Sequence, residues 1–251
     1  MNRHNQYGLG FGLVGVIVIV LAVSSLGFIG FRVITSQDAK DTGTSNVANE
    51  TKNDELVLQN FGLASLDSVL VSDQALREYA DKGLKGFYVF GDKLGNTGRI
   101  NPNFEFASLK PGTKLVAAIN GTVVFIKEQP EAGDSEVFLQ TFDGSAWMIG
   151  YDHLSNVNVK KGDTVKAGDV LGEPTVQGNG LLRFELQINK KQTGGSDLSY
   201  CPSDLLDSSV KDKLLQDLTA MMQKWEAQSG LELYDVTTQN PAGCLTETVE
   251  P

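Results

Sequence analysis

The stretch Gly180-Leu181-Leu182-Arg183-Phe184-Glu185-Leu186 constrains this chain more than any other. Leu182, Phe184, Leu186 and Ile188 alternate with Arg183, Glu185 and Gln187, the period of two that a half-buried strand requires. One row is predicted to enter a core and the other to look into a cleft. The side chains of the second row then decide what chemistry is open to the protein.

The surrounding sequence repeats the pattern. Short strands are predicted at Phe87–Phe90, Asn103–Ala107, Lys114–Ile119, Thr122–Lys127, Glu136–Phe142, Ala146–His153, Val157–Val159 and Leu182–Asn189. Gly91-Asp92, Pro111-Gly112, Asn120-Gly121 and Asp143-Gly144 separate them, and the last two are dipeptides favoured in tight hairpins. The expected domain is antiparallel and mostly β.

Other segments set its context. Residues 1–7 form a short tail, and from Gly8 to Phe31 no charged residue occurs. That run of roughly two dozen mostly apolar residues can span a bilayer. Its apolar character continues past the small-residue site Ala22-Val23-Ser24, so 8–34 reads as an uncleaved, single-pass transmembrane anchor. Residues 35–56 have the Ser, Thr, Asn, Asp and Lys content of a flexible tether. A lead-in follows over 57–86, with a helix predicted from Gln74 to Lys82 behind Ser72-Asp73 and ended by Gly83. Residues 87–195 make the β domain and 196–251 a helical extension.

Within that extension Val210, Leu214, Leu218, Met221, Met222 and Trp225 recur in steps of three and four. They predict an amphipathic helix over Ser208–Ser229 stopped by Gly230. Cys201 precedes this helix and Cys244 follows it; they are the chain's two cysteines. Either they form one disulfide that clips the extension, or both are free thiols. A disulfide requires an oxidising, extracytoplasmic compartment. The net charge of −10 disfavours nucleic acid as partner, because phosphate neutralisation needs clustered Lys and Arg.

Several blocks together resemble a known family. Asn101-Pro102-Asn103-Phe104-Glu105-Phe106-Ala107, Gly112-Thr113-x-Leu115-Val116-Ala117, Gly121-Thr122-Val123, Tyr151-Asp152-His153-Leu154, Val159-x-x-Gly162-Asp163-x-Val165-x-x-Gly168 and Gly180-x-x-x-Phe184-Glu185-Leu186 follow the order and spacing of the lysostaphin or LytM-type zinc endopeptidases. The resemblance covers about Phe87 to Asn189. It implies an antiparallel β sandwich with a groove over the larger sheet, peptidoglycan cross-links as the family's substrate, and zinc held by a His and an Asp four residues apart plus the second His of a His-x-His pair.

The matching positions here are Asn101 and Glu105 for the first pair, and Leu181 and Arg183 for the second. Asn is a poor zinc ligand, Glu105 retains a donor, and the guanidinium of Arg183 has no lone pair to offer. Leu181 stands where the family has a catalytic His, and an alkyl group cannot orient or deprotonate water. His153 alone matches a remaining active-site histidine. His4 lies ahead of the apolar run, so no conventional replacement zinc site is expected. Glu105 and Arg183 are instead expected to point toward one position, where an ion pair could replace the tie that zinc supplies.

The resulting expectation is a membrane-anchored, extracytoplasmic cell-envelope protein of bacterial type, without catalytic residues or cofactor. It would bind peptidoglycan peptide or a partner protein through a degenerate groove at Asn101, Glu105, His153, Leu181 and Arg183. One alternative is an atypical zinc endopeptidase using Glu105, His153 and Asn101. Another is a barrel-sandwich adaptor module of an envelope complex, suggested by the turns between Gly162 and Gly172.

Overall fold

The computed structural model describes residues 54–78, 82, 84–94 and 98–250, all within the second of two compact units, Thr51–Pro251. The expected anchor at 8–34 and nearly all of the tether at 35–56 lie outside the described residues. Among the described residues no helix is long and apolar enough to cross a membrane.

The main strands are β1 (Phe87–Tyr88), β2 (Lys93–Leu94), β3 (Arg99–Ile100), β4 (Asn103–Leu109), β5 (Leu115–Val116), β6 (Gly121–Gln129), β7 (Asp134–Gln140), β8 (Trp147–Ser155), β9 (Thr164–Val165), β10 (Val170–Val176), β11 (Leu182–Lys190), β12 (Leu198–Tyr200) and β13 (Thr248–Val249). All named strand pairings are antiparallel, as the alternation predicts. Eleven strands join into one hydrogen-bonded network ordered β1-β4-β11-β10-β8-β7-β6-β9, with β5, β12 and β13 attached beside it. The strands that a two-sheet sandwich would separate are therefore continuous here.

β11 is the hub of that network. One edge pairs with β4 and then β12, and the other with β10 and then β8. Phe184, Leu186 and Ile188 are fully buried and Leu182 is partly buried, so the predicted apolar row does face the core. The ring of Phe184 stacks near Phe106 and Tyr151, with centroids 6.1 Å apart in each case.

Segments from both sides of the β domain cover this face. Phe61 in the lead-in packs against Phe104, with centroids 5.2 Å apart. Gly62 (φ +78) passes so close to Phe184 that a Cβ there would lie 2.6 Å from the ring. On the other side, helix α2 (Lys211–Ser229) buries Leu218, Met221, Met222 and Trp225. The indole of Trp225 lies against Gly86, which puts the stripe to use in packing. Burial of such large side chains contributes about 1.5–3 kcal/mol each. The Cys201–Cys244 disulfide is formed, with Cα atoms 6.0 Å apart. It fixes the end of the extension, where Phe90 N–H donates to Gly243 O at 2.9 Å and Cys201 N–H to Glu247 O at 3.0 Å.

Some element boundaries differ from expectation, each for a local reason. Helix α1 covers Asp73–Glu78, with Ser72 Oγ accepting from Ala75 N–H at 3.2 Å as a cap should; residues 79–81 and 83 lie outside the described set. α2 begins at Lys211 rather than Ser208, because Asp207 Oδ1 takes the Ser209 N–H at 2.8 Å in a turn before the helix. Gly230 (φ +70) ends it, with its N–H on Glu226 O. Residues 157–159 form no strand, since Asn156 (φ +48) turns the chain out of the ladder. β10 lacks a strand pattern in the sequence because Gly172 and Pro174 interrupt it; at Gly172 the backbone approaches Ser155 O, 2.9 Å from where a Cβ would sit. Asp143-Gly144 lies in the turn joining β7 to β8, with Gly144 at φ +87. Asn120-Gly121 is not a hairpin turn, because Gly121 opens β6 and a Cβ there would meet Gln140 O at 2.3 Å.

Candidate functional site

The polar row of β11 and its neighbours form a charged cluster. Register places Glu185 directly opposite Glu105 on β4 and Asp152 on β8, setting three carboxylates abreast across three strands. Like charges at facing positions destabilise a sheet unless compensated. Arg183 lies two residues before Glu185 and on the same face. Its Nε lies 3.0 Å from Glu105 Oε1, and its Nη2 donates to Glu185 Oε1. Asn103 Nδ2 donates to the other oxygen of Glu185.

His153 completes the cluster by breaking the alternation. Its φ of +64 is uncommon for a non-glycine residue, and it lets Asp152 and His153 reach the same group although they are adjacent. His153 Nδ1 lies 2.8 Å from Asp134 Oδ2 on β7. Nε2 is 3.5 Å from Glu185 Oε1 and 3.9 Å from Asp152 Oδ2. Gln129 Nε2 and the His153 N–H both donate to Asp152 Oδ1, at 2.6 and 2.7 Å.

This crowding shifts the acids apart. Glu105 is pushed up to about 7, first by burial and then by the charge of Glu185, against the opposing pull of Arg183 and His153. Burial also acts on Glu185, but Arg183 and His153 outweigh it and hold its pKa below the ordinary value. Glu185 is thus the ionised member of the pair, because it is in direct contact with Arg183, Asn103 and His153, whereas Glu105 has a direct contact with Arg183 and feels His153 from a distance. Glu136 is pushed up to about 7 by burial and Asp152, although Lys127 Nζ stands 3.4 Å away. For His153, burial opposes the charged ring, yet Glu185 and Asp152 raise it to about 9. The ring is therefore a cation at neutral pH.

Of the five positions singled out in the sequence, the structure brings Glu105, His153 and Arg183 together. Asn101 and Leu181 are not in this cluster. Asn101 is 1% exposed, and its Nδ2 donates to Val89 O at 3.0 Å and Asn103 O at 2.9 Å, a tie between the approach to β4 and the strand beside it. Leu181 is 2% exposed and belongs to the apolar core. The structure adds Asn103, Asp134, Glu136, Asp152 and Glu185 to the three. Period two already placed Glu185 beside Arg183, whereas Asp134 carries no local signal and meets His153 only through the β7–β8 pairing.

Zinc in the position implied by the family resemblance does not fit these residues. The Asn101 amide is turned to backbone carbonyls, Leu181 has no donor, and Arg183 places a permanent cation 3.0 Å from the one remaining ligand type, Glu105. No hydrolytic step through such a metal follows from this arrangement. What the residues can do is hold charge: a fixed guanidinium and an imidazolium among carboxylates, at the surface of a rigid sheet.

Comparison with known proteins agrees with the blocks read from the sequence. Residues 105–194 match the model of peptidase family M23. Over 91 residues the chain is 35% identical to the peptidoglycan DD-endopeptidase ShyA of Vibrio cholerae serotype O1, a match covering 30% of this chain and 20% of that protein. The chain thus spans about a fifth of the length of this relative. Among solved structures, it is similar to the catalytic domain of lysostaphin from Staphylococcus simulans at 27% identity, covering 49% of this chain and 89% of that one with a TM-score of 0.36. A zinc-containing peptidase from Vibrio cholerae is similar at 20% identity, covering 53% and 37% of the two chains with a TM-score of 0.38. Residues 105–194 thus carry this chain's likeness to peptidase family M23.

Proposed function

We propose that the protein is a non-catalytic, LytM-like component of the cell envelope that binds peptidoglycan peptide through the sheet face carrying Glu105, His153 and Arg183. The observation that carries this reading is the Arg183–Glu105 pair at 3.0 Å, which places a guanidinium where the family resemblance calls for a zinc ligand. Peptidoglycan peptide is the preferred ligand because the relative matched over 91 residues is described as a peptidoglycan endopeptidase. A partner protein seated on the same face is the other occupant of this reading. Anchoring through 8–34, with the domain outside the cytoplasm, is part of the proposal. The Cys201–Cys244 disulfide supports it, because such bonds persist in oxidising compartments.

The test uses the purified full-length chain with intact bacterial cell walls and with soluble wall fragments. Retention of fragments without release of cleaved cross-links is expected, with retention lost in Arg183→Leu. Cleavage by the wild-type chain would overturn the non-catalytic reading, and retention of a protein but no wall fragment would move the ligand to the partner class. Thiol counting on freshly purified material checks the compartment: two free thiols would contradict it.

A further inference from the structure

We propose that this domain carries a divalent-cation site displaced across the sheet from the family position, built by Asp134 on β7 with Asp152 and His153 on β8. One donor atom from each residue lies within 4.8 Å of the other two. Ligands bound at about 2.0–2.2 Å from a common ion stand roughly 3.5 Å apart, so a small side-chain adjustment closes these donors onto one ion. The inference goes beyond the binding function proposed above and does not depend on it.

Three observations support a cation here. The Asp134 side chain is 1% exposed, yet its Oδ1 has no hydrogen-bond partner. A buried carboxylate oxygen left unsatisfied is costly and calls for an explanation such as a bound ion. Next, Asp152 is pre-oriented, since Gln129 Nε2 and the His153 N–H both hold Oδ1 while Oδ2 stands 3.9 Å from the imidazole. Outer-shell bonds of this kind fix metal ligands. Finally, the left-handed backbone of His153 persists in a strand that would otherwise send its ring away from Asp152, and strain of this kind clusters at binding sites.

The donor set selects the ion. One imidazole with two carboxylates suits zinc or manganese rather than magnesium or calcium, which favour all-oxygen shells. Glu136 and Glu185 add negative charge around it. Arg183 bonds Glu185, and Lys127 pairs with Glu136 at 3.4 Å, so the cation facing Asp134 is the His153 imidazolium, 2.8 Å away, which an ion would displace as a proton donor. Binding places the ion on His153 and both aspartates and releases the imidazolium proton to solvent.

The test is equilibrium dialysis of the tag-free full-length chain, stripped with chelator, against Zn²⁺ and separately Mn²⁺, with metal measured by elemental analysis. One equivalent of zinc per chain is expected, and Asp134→Asn and His153→Gln should each weaken it at least about tenfold. Glu105→Gln should leave it within about twofold, and bound Mn²⁺ should show nitrogen coupling in its paramagnetic resonance spectrum that His153→Gln removes. Circular dichroism checks folding, and Asp152→Asn replaces Asp134→Asn if the latter does not fold. No zinc on the wild-type chain, full affinity in the Asp134 variant, or loss of zinc in Glu105→Gln would each overturn the site. None of these results bears on wall-fragment retention, so the two readings fail independently.

Discussion

The two faces of β11 show how differently a strand can be determined. On one face Phe184, Leu186 and Ile188 are wholly buried and fit only one register, because a slip of one residue would turn them into solvent. On the other, Arg183 and Glu185 sit among Glu105, Asp152 and His153, where the outcome depends on which charges happen to be opposed. The apolar face specifies the fold, and the polar face determines what it can bind. That contrast lets the polar row vary in charge while the apolar row keeps the strand in register.

Substitutions on the two faces sharpen the contrast, and the largest effect is expected on the apolar one. Phe184→Ala leaves a cavity beneath Gly62 and between Phe106 and Tyr151, costing about 4 kcal/mol in denaturant unfolding. A cost below about 1 kcal/mol would mean that β11 is not the hub. On the polar face, Arg183→Leu strands Glu105 and Glu185, both only 13% exposed in their side chains. Breaking such a pair costs about 3 kcal/mol, read as a fall in melting temperature. An unchanged melting temperature would show that these charges are solvated and the two faces equally permissive.

A smaller effect is expected with pH. Glu105 has its folded pKa raised to about 7 from the ordinary 4.5, so between those values the folded chain holds more protons than the unfolded one. Stability from this group is therefore fully present below about pH 4.5 and is lost as pH rises toward 7. Glu105→Gln should remove that decline from a series of melting curves. Arg183, Glu185 and His153 face Glu105, so the same series on Arg183→Leu should show a steeper decline. The smallest effect is expected far from both faces: the exposed Lys213–Asp217 pair on α2 should contribute under about 0.5 kcal/mol, as such i,i+4 pairs do. A larger loss in Lys213→Ala would mean that surface charge matters more to this fold than its buried cluster suggests.

Much of the scaffold was legible in the residues. Leu182 to Ile188 announced β11 by alternation, and the stripe from Val210 to Trp225 announced α2. β10 was hidden because Gly172 and Pro174 serve a close approach to β8 that no local pattern records. Asn120-Gly121 misled for a related reason: its glycine accommodates Gln140 O across a strand pair rather than a turn. In the site, spacing brought out Glu105, Arg183 and His153, but Asn101 turned inward to carbonyls that belong to other segments.

The sequence by itself determined the antiparallel β class, the core row of β11, the family-like blocks and the guanidinium at position 183, because these depend on side-chain identity and short-range period. It left the cysteines open between thiols and a disulfide. Only the tertiary structure joined Cys201 to Cys244, opposed Glu185 to both Glu105 and Asp152, and brought Asp134 to His153 across 19 residues of sequence. The reason is physical: alternation fixes which face a side chain occupies, but strand register and one left-handed residue, His153, decide which charges meet.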